Sequence, residues 1–199
     1  MRSALSFNTP FVDANELLQS ARRTIQVPLG GGAMIRESKQ SIGRVPVIQL
    51  GRFSIKEPVA IFFQDKQGIV ASTEFDGVIG GEILRRFKVI FDYSRRRMML
   101  EPNRYLSDPE EYDMSGMLLV AEGKDFKTFK VRRIIENSPA TVAGLREGDI
   151  ISIVGGKAAS HPTLEQMRRM FKQQGRSYRL IINRDGRKIQ TKIKLRRLI

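Results

Sequence analysis

The sequence predicts a two-domain, mainly β fold with short helices. Three observations predict it. Apolar runs are short, rich in Val, Ile and Phe, and repeatedly broken by Gly, Pro or Asp, as strands joined by turns are. Apolar residues at helical spacing occupy only brief windows. A polar stretch, Pro102–Asp113, with Asp108-Pro109 and Glu110-Glu111, separates two such patterns and reads as the linker. A chain of 199 residues accommodates one or two domains, and 41% apolar residues can fill their cores.

Phe11–Ala21 reads as a helix, with Asp13 or Asn15 as cap and Leu17, Leu18 and Ala21 as its apolar face. Thr24–Val27 and Ala33–Arg36 flank Pro28-Leu-Gly-Gly-Gly32, a hairpin-like pattern with a glycine tip. Val45–Leu50, Phe53–Ile55 and Val59–Phe63 are strand-like. Ile83, Leu84 and Phe87 share one face of a helix over Gly81–Phe87, followed by strands at Val89–Tyr93 and Met98–Leu100. Beyond the linker, Met117–Ala121 and Phe129–Ile135 are strands. A short helix follows, with Ser138 as N-cap, Pro139 at its first position and Gly144 as its stop. Asp149–Val154 is a strand and Thr163–Lys172 a helix. Tyr178–Asn183 and Lys188–Leu195 are strands whose connection contains Asp185-Gly186, a strong hairpin signal.

Composition excludes several chemistries. With no cysteine there are no disulfides, thiol nucleophiles or cysteine–zinc sites. No apolar run reaches about 18 residues, so no membrane-spanning helix is expected. The start, Met1-Arg2-Ser3-Ala4-Leu5-Ser6, lacks the apolar core of a signal peptide. No cofactor or metal site is expected. The single histidine, His161, precedes Pro162 outside the helix and reads as a loop residue. Net charge is +14, spread over short clusters such as Arg95-Arg96-Arg97 and Arg196-Arg197. Scattered clusters read as solvated surface, with an anion-binding surface as the alternative.

Ser138-Pro-Ala-x-x-Ala-Gly-Leu-x-x-Gly-Asp-Ile-Ile, the Gly155-Gly156 turn, a helix and two strands together resemble the bacterial form of the PDZ domain, over roughly Met114–Ile199. The resemblance implies a peptide groove between the Met117–Ala121 strand and the Thr163–Lys172 helix. A target's C-terminus would add there as a strand, its carboxylate held by backbone N–H groups of the preceding loop. Ser115, Gly116, Met117, Leu118 and Leu119 occupy the loop and strand positions, and Leu164 and Arg168 are placed to line the helix side. Leu164 serves equally well as a core residue, and Met167 and Phe171 fit the core better than the groove.

Asp76-Gly-Val-Ile-Gly80, the helix after it, Val89–Tyr93 and Met98–Pro102 resemble the end of a lobe in bacterial retropepsin-like aspartyl proteases that also carry a C-terminal PDZ domain. That resemblance implies an acid-protease lobe of β-barrel type over residues 1–105, a linker over 106–113 and a PDZ domain over 114–199. Two lobes of that family pair, each supplying one aspartate, so a homodimer is implied. The Gly30-Gly31-Gly32 segment would be the flap over substrate, a surface turn being the alternative.

The family's Asp-Thr-Gly or Asp-Ser-Gly is absent. Asp13 lacks the following Thr/Ser and Gly, Asp76 reads as a turn residue and Asp92 as a strand residue, so no catalytic residue is assigned. The resemblance implies that the chain begins just after that triplet and is inactive as given. Three functions follow: a fragment of an aspartic-type endopeptidase whose PDZ domain binds peptides or protein C-termini, a non-catalytic peptide-binding scaffold with a dimerising lobe, and, more weakly, a nucleic-acid binder. Export to the periplasm is an implication of the resemblance alone.

Overall fold

A computed structural model describes residues 4–27, 40–160 and 162–199. The chain divides into two compact units, residues 1–111 with Ile199, and residues 112–198. Both are mainly β with short helices, each around its own apolar core.

The described strands and α-helices of the first unit are β1 (Leu5–Phe7), α1 (Thr9–Ala14), α2 (Leu17–Ser20), β2 (Thr24–Gln26), β3 (Gln40–Arg44), β4 (Val47–Leu50), β5 (Phe53–Lys56), β6 (Val59–Phe63), β7 (Gly77–Ile79), α3 (Gly81–Leu84), β8 (Phe87–Asp92) and β9 (Arg97–Pro102), with one 3-10 turn at Ile69–Ala71. Its main sheet runs β2-β3-β6-β1-β7, with β4-β5 and β8-β9 as separate hairpins. β1 lies between β6, to which it is parallel, and β7, to which it is antiparallel. Gly77 allows that approach, since a Cβ there would sit 2.0 Å from the Ser6 carbonyl oxygen. Among the described residues this sheet is open, with free ends at β2 and β7, so the expected barrel is not closed.

The helix expected over Phe11–Ala21 is instead two. Pro10 starts the first one earlier, and Glu16, in the left-handed region at φ 48°, breaks the run. Leu17, Leu18 and Ala21 still face the core, which is built on Leu5, Val12, Phe62, Ile83 and Phe87. The helix after Gly80 is also shorter than its spacing predicts, because Phe87 already belongs to β8. The glycine flap, Gly30–Gly32, and His161 lie outside the described residues.

Residues 106–111 are fastened to the first unit. Buried Arg86 donates to the carbonyls of Glu82, Leu106 and Asp108 at 3.2, 2.9 and 2.7 Å, with Tyr105 at 3.4 Å. The carboxylate of Glu110 accepts from Val59 N–H at 3.2 Å.

The second unit comprises β10 (Met117–Glu122), β11 (Thr128–Ile134), α4 (Pro139–Val142), β12 (Ile150–Val154), β13 (Lys157–Ala158), α5 (Leu164–Met170), β14 (Ser177–Arg184) and β15 (Arg187–Lys194). Its sheet runs β10-β11-β12-β14-β15, with β13 on β12, and every pairing is antiparallel. Asp185 and Gly186 take φ 52° and 80°, which gives the tight turn joining β14 to β15. Buried Asp149 accepts two bonds from the Arg184 guanidinium, at 2.7 and 2.8 Å, and one from Arg146 N–H at 2.8 Å. This fastens the turn before β12 to β14. Phe129, Val131, Met167, Phe171, Leu180, Ile182 and Ile193 fill the core.

Candidate peptide-binding groove

Among the described residues β10 is an edge strand, because β11 covers only one of its sides. Gly116 C=O accepts from Ile135 N–H on the β11 side at 2.9 Å. Backbone direction alternates along a strand, so Met117, Leu119 and Ala121 aim their N–H and C=O groups away from β11. The bulge between Leu118 and Leu119 falls on the β11 side, where Arg132 is skipped, and leaves that alternation intact. An edge of this kind accepts an added strand.

α5 packs against β10. Its start is set by a reciprocal cap, in which Thr163 Oγ1 accepts from Gln166 N–H at 3.2 Å and Gln166 Oε1 accepts from Thr163 N–H at 2.7 Å. Met167 points fully into the core, and Phe171, just past the helix, meets Tyr178 edge-on at 5.8 Å. Leu164 and Arg168, four residues apart and so on one helical face, are half-buried. Leu164 packs against the core cluster from its margin. Arg168 Nη2 donates to the carbonyl of Leu119 at 3.2 Å, which fixes that carbonyl as outward-facing and puts a cation between helix and strand.

The loop before β10 is tied to the rest of the unit by backbone hydrogen bonds. Ser115 C=O accepts from Ala140 N–H of α4 at 2.9 Å, and Met114 N–H donates to Phe171 C=O at 2.9 Å. Gly116 has φ 78°, and a Cβ on it would lie 2.2 Å from Ser138 Cβ, so conformation and space both demand glycine there. Asp113 turns its carboxylate into this loop. Its Oδ1 accepts from Ser115 N–H at 2.8 Å and from the Ser115 hydroxyl, while Met117 N–H donates to Ser115 Oγ at 3.1 Å. Burial pushes the Asp113 carboxyl up to about 6, against the opposing pull of the Ser115 hydroxyl, the Ser115 and Gly116 amides and the Lys172 ammonium. Burial also raises neighbouring Tyr112 well above its usual value.

The structure thus brings Ser115, Gly116, Met117, Leu118 and Leu119 to one strand-and-loop edge, and Leu164 and Arg168 to the facing helix. Sequence reasoning missed Asp113, which it assigned to the linker. The signal was present, since an aspartate two residues before an amide is the pattern of an Asx turn. The aspartates weighed for catalysis lie on separate elements: Asp13 in α1, Asp76 beside β7, and Asp92 at the end of β8. Asp92 is held below the usual carboxylate range by the Ser94 hydroxyl and the Arg95 amide and side chain. Among the described residues no cluster of acidic or histidine side chains could hold a metal, and no helix is long and apolar enough to cross a membrane.

The PDZ domain family matches residues 115–183, which includes the loop, β10, α5 and most of β14. No curated protein matches the chain. Among solved structures, the chain is similar to a photosystem II D1 C-terminal processing protease at 20% identity and TM-score 0.38, over 43% of this chain and 23% of that one. A serine endoprotease from Yersinia pestis aligns at 13% identity and TM-score 0.42, over 90% of this chain and 63% of that one. The HtrA-type protease AlgW with decapeptide aligns at 14% and 0.41, over 87% and 55%. The chain therefore spans less than two thirds of each, and likeness at this level carries no functional argument.

Proposed function

We propose that the second unit binds an extended peptide by strand addition to β10, within the groove bounded by α5. The observation that carries this is the outward-facing backbone of Met117, Leu119 and Ala121 beside Leu164 and Arg168. Main-chain hydrogen bonds to those residues supply affinity, and the α5 side chains select ligand residues at alternate positions. Selection of a random peptide library on the immobilised protein tests the reading. Peptides should be enriched, and Leu164→Glu, which puts a carboxylate on the groove wall, should weaken the enriched peptides at least about tenfold, or ~1.4 kcal/mol. No enrichment, or binding that is indifferent to Leu164, contradicts the proposal.

A second reading concerns the first unit, which we infer to be a lobe of the acid-protease type that carries no catalytic pair of its own. The order β7, α3, β8, β9 supports it, as does the bond from Gly80 N–H to Ala4 C=O at 2.8 Å, which sets Val78-Ile79-Gly80 against the strand at Leu5–Phe7. Cleavage of denatured casein at acid pH checks it. The chain should show no hydrolysis sensitive to pepstatin, and pepstatin-sensitive turnover lost on replacing Asp13, Asp76 or Asp92 would refute it.

A further inference from the structure

We propose that the groove takes an internal peptide segment bearing an aspartate or glutamate, gripped by Arg168, in preference to a free C-terminus. This rests on the peptide-groove reading and narrows its ligand. Two observations carry it, one at the loop and one in the middle of the groove.

The loop amides that would grip a terminal carboxylate already have acceptors. Ser115 N–H and the Ser115 hydroxyl are on Asp113 Oδ1, the Gly116 amide faces the same carboxylate, and Met117 N–H is on Ser115 Oγ. A ligand's terminal carboxylate would have to displace Asp113 and would meet its charge at close range. Like charges sharing one site oppose each other strongly where water is scarce. Asp113 therefore occupies, within the same chain, the position a C-terminus would seek.

The cation lies farther along the groove. Arg168 uses one donor on the Leu119 carbonyl, out of the five a guanidinium carries. No carboxylate pairs with it among the described residues. The Leu119 carbonyl is also the acceptor that an added strand needs. The ligand's N–H can share that carbonyl, which has two lone pairs, and the half-buried guanidinium, with its remaining donors unused, then lies beside the ligand's side chains. An aspartate or glutamate there supplies two charge-assisted bonds in fork geometry. A neutral residue leaves the donors poorly satisfied. The anion-recognising position has thus moved from the loop end of the groove to its middle.

Three nine-residue peptide libraries test this: random with a central Asp and an amidated end, the same with a central Asn, and the Asn library with a free carboxylate. Retention on the full chain should favour the Asp library over the Asn library at least tenfold, with no gain from the free carboxylate. Arg168→Gln should abolish the Asp preference, while Arg168→Lys should keep part of it. Asp113→Ala, which vacates the loop, should give the free-carboxylate library a gain of about tenfold. A wild-type preference for the free carboxylate, an Asp preference that survives Arg168→Gln, or no gain in Asp113→Ala overturns the inference while leaving the groove intact. Retention of none of the libraries overturns the groove reading together with it.

Discussion

Arg86 in the first unit and Arg168 in the second are both withdrawn from water, yet their surroundings differ. Arg86 is 2% exposed and has four backbone carbonyls within hydrogen-bonding distance, from Glu82, Tyr105, Leu106 and Asp108. Arg168 is half-buried and among the described residues has one, that of Leu119. A guanidinium whose donors are spoken for by the backbone is a structural clamp, and Arg86 holds the segment after β9 in place. A guanidinium with donors to spare, on a strand edge, remains able to meet a ligand.

Arg86→Met should break this contrast most strongly. It takes the shared donor away from several part-buried carbonyls at once, and a loss of about 3 kcal/mol is expected for the first unit. Denaturant unfolding followed by hydrogen exchange on β6 and β8 reads it, and a loss below about 1 kcal/mol would put Arg86 in the same class as Arg168. Gly116→Ala comes next, at about 2–3 kcal/mol on the second unit, from left-handed backbone and the collision with Ser138 together. Exchange rates of β14 amides check it, and the first unit should be unmoved.

Arg168→Gln should leave stability within about 0.5 kcal/mol by chemical denaturation while weakening acidic peptides about tenfold. A large stability loss would make Arg168 a clamp after all. The smallest effect concerns Asp113, faced by Ser115, Tyr112 and Lys172. Its carboxyl rises from 3.8 to about 6 on folding, so the folded state binds the proton more tightly. That contribution is full below 3.8 and is lost as pH rises through about 6. The second unit should therefore gain stability on going from pH 7 to pH 5, and Asp113→Asn should flatten that gain. Thermal melts of both proteins across this range measure it.

What the sequence made legible was local. The Ser138-Pro139 start of α4 and the Asp185-Gly186 turn follow rules that act within a few residues, and each stands where its pattern predicts. β1 and β3 were not legible. β1 is three residues long and is defined by partners more than fifty positions away, and β3, buried on both faces, carries polar Gln40 and Ser41 where a strand so covered would call for apolar residues. The break at Glu16 hides inside an apolar pattern that runs through it. The candidate groove was half legible. Its strand and helix follow from motif and periodicity, whereas the bond from Arg168 to Leu119 spans 49 positions and exists only once β10 and α5 have packed together.

The most direct test of the groove is residue-resolved amide exchange along β10, with and without an enriched peptide. An added strand protects the amides that point outward, Leu119 and Ala121, and leaves the inward-facing Val120 amide unchanged because β11 already covers it. Alternating protection at Leu119 and Ala121 is the predicted result. Protection that is absent from β10, or that falls on β7 and the first unit, would contradict strand addition as the way this protein binds its ligand.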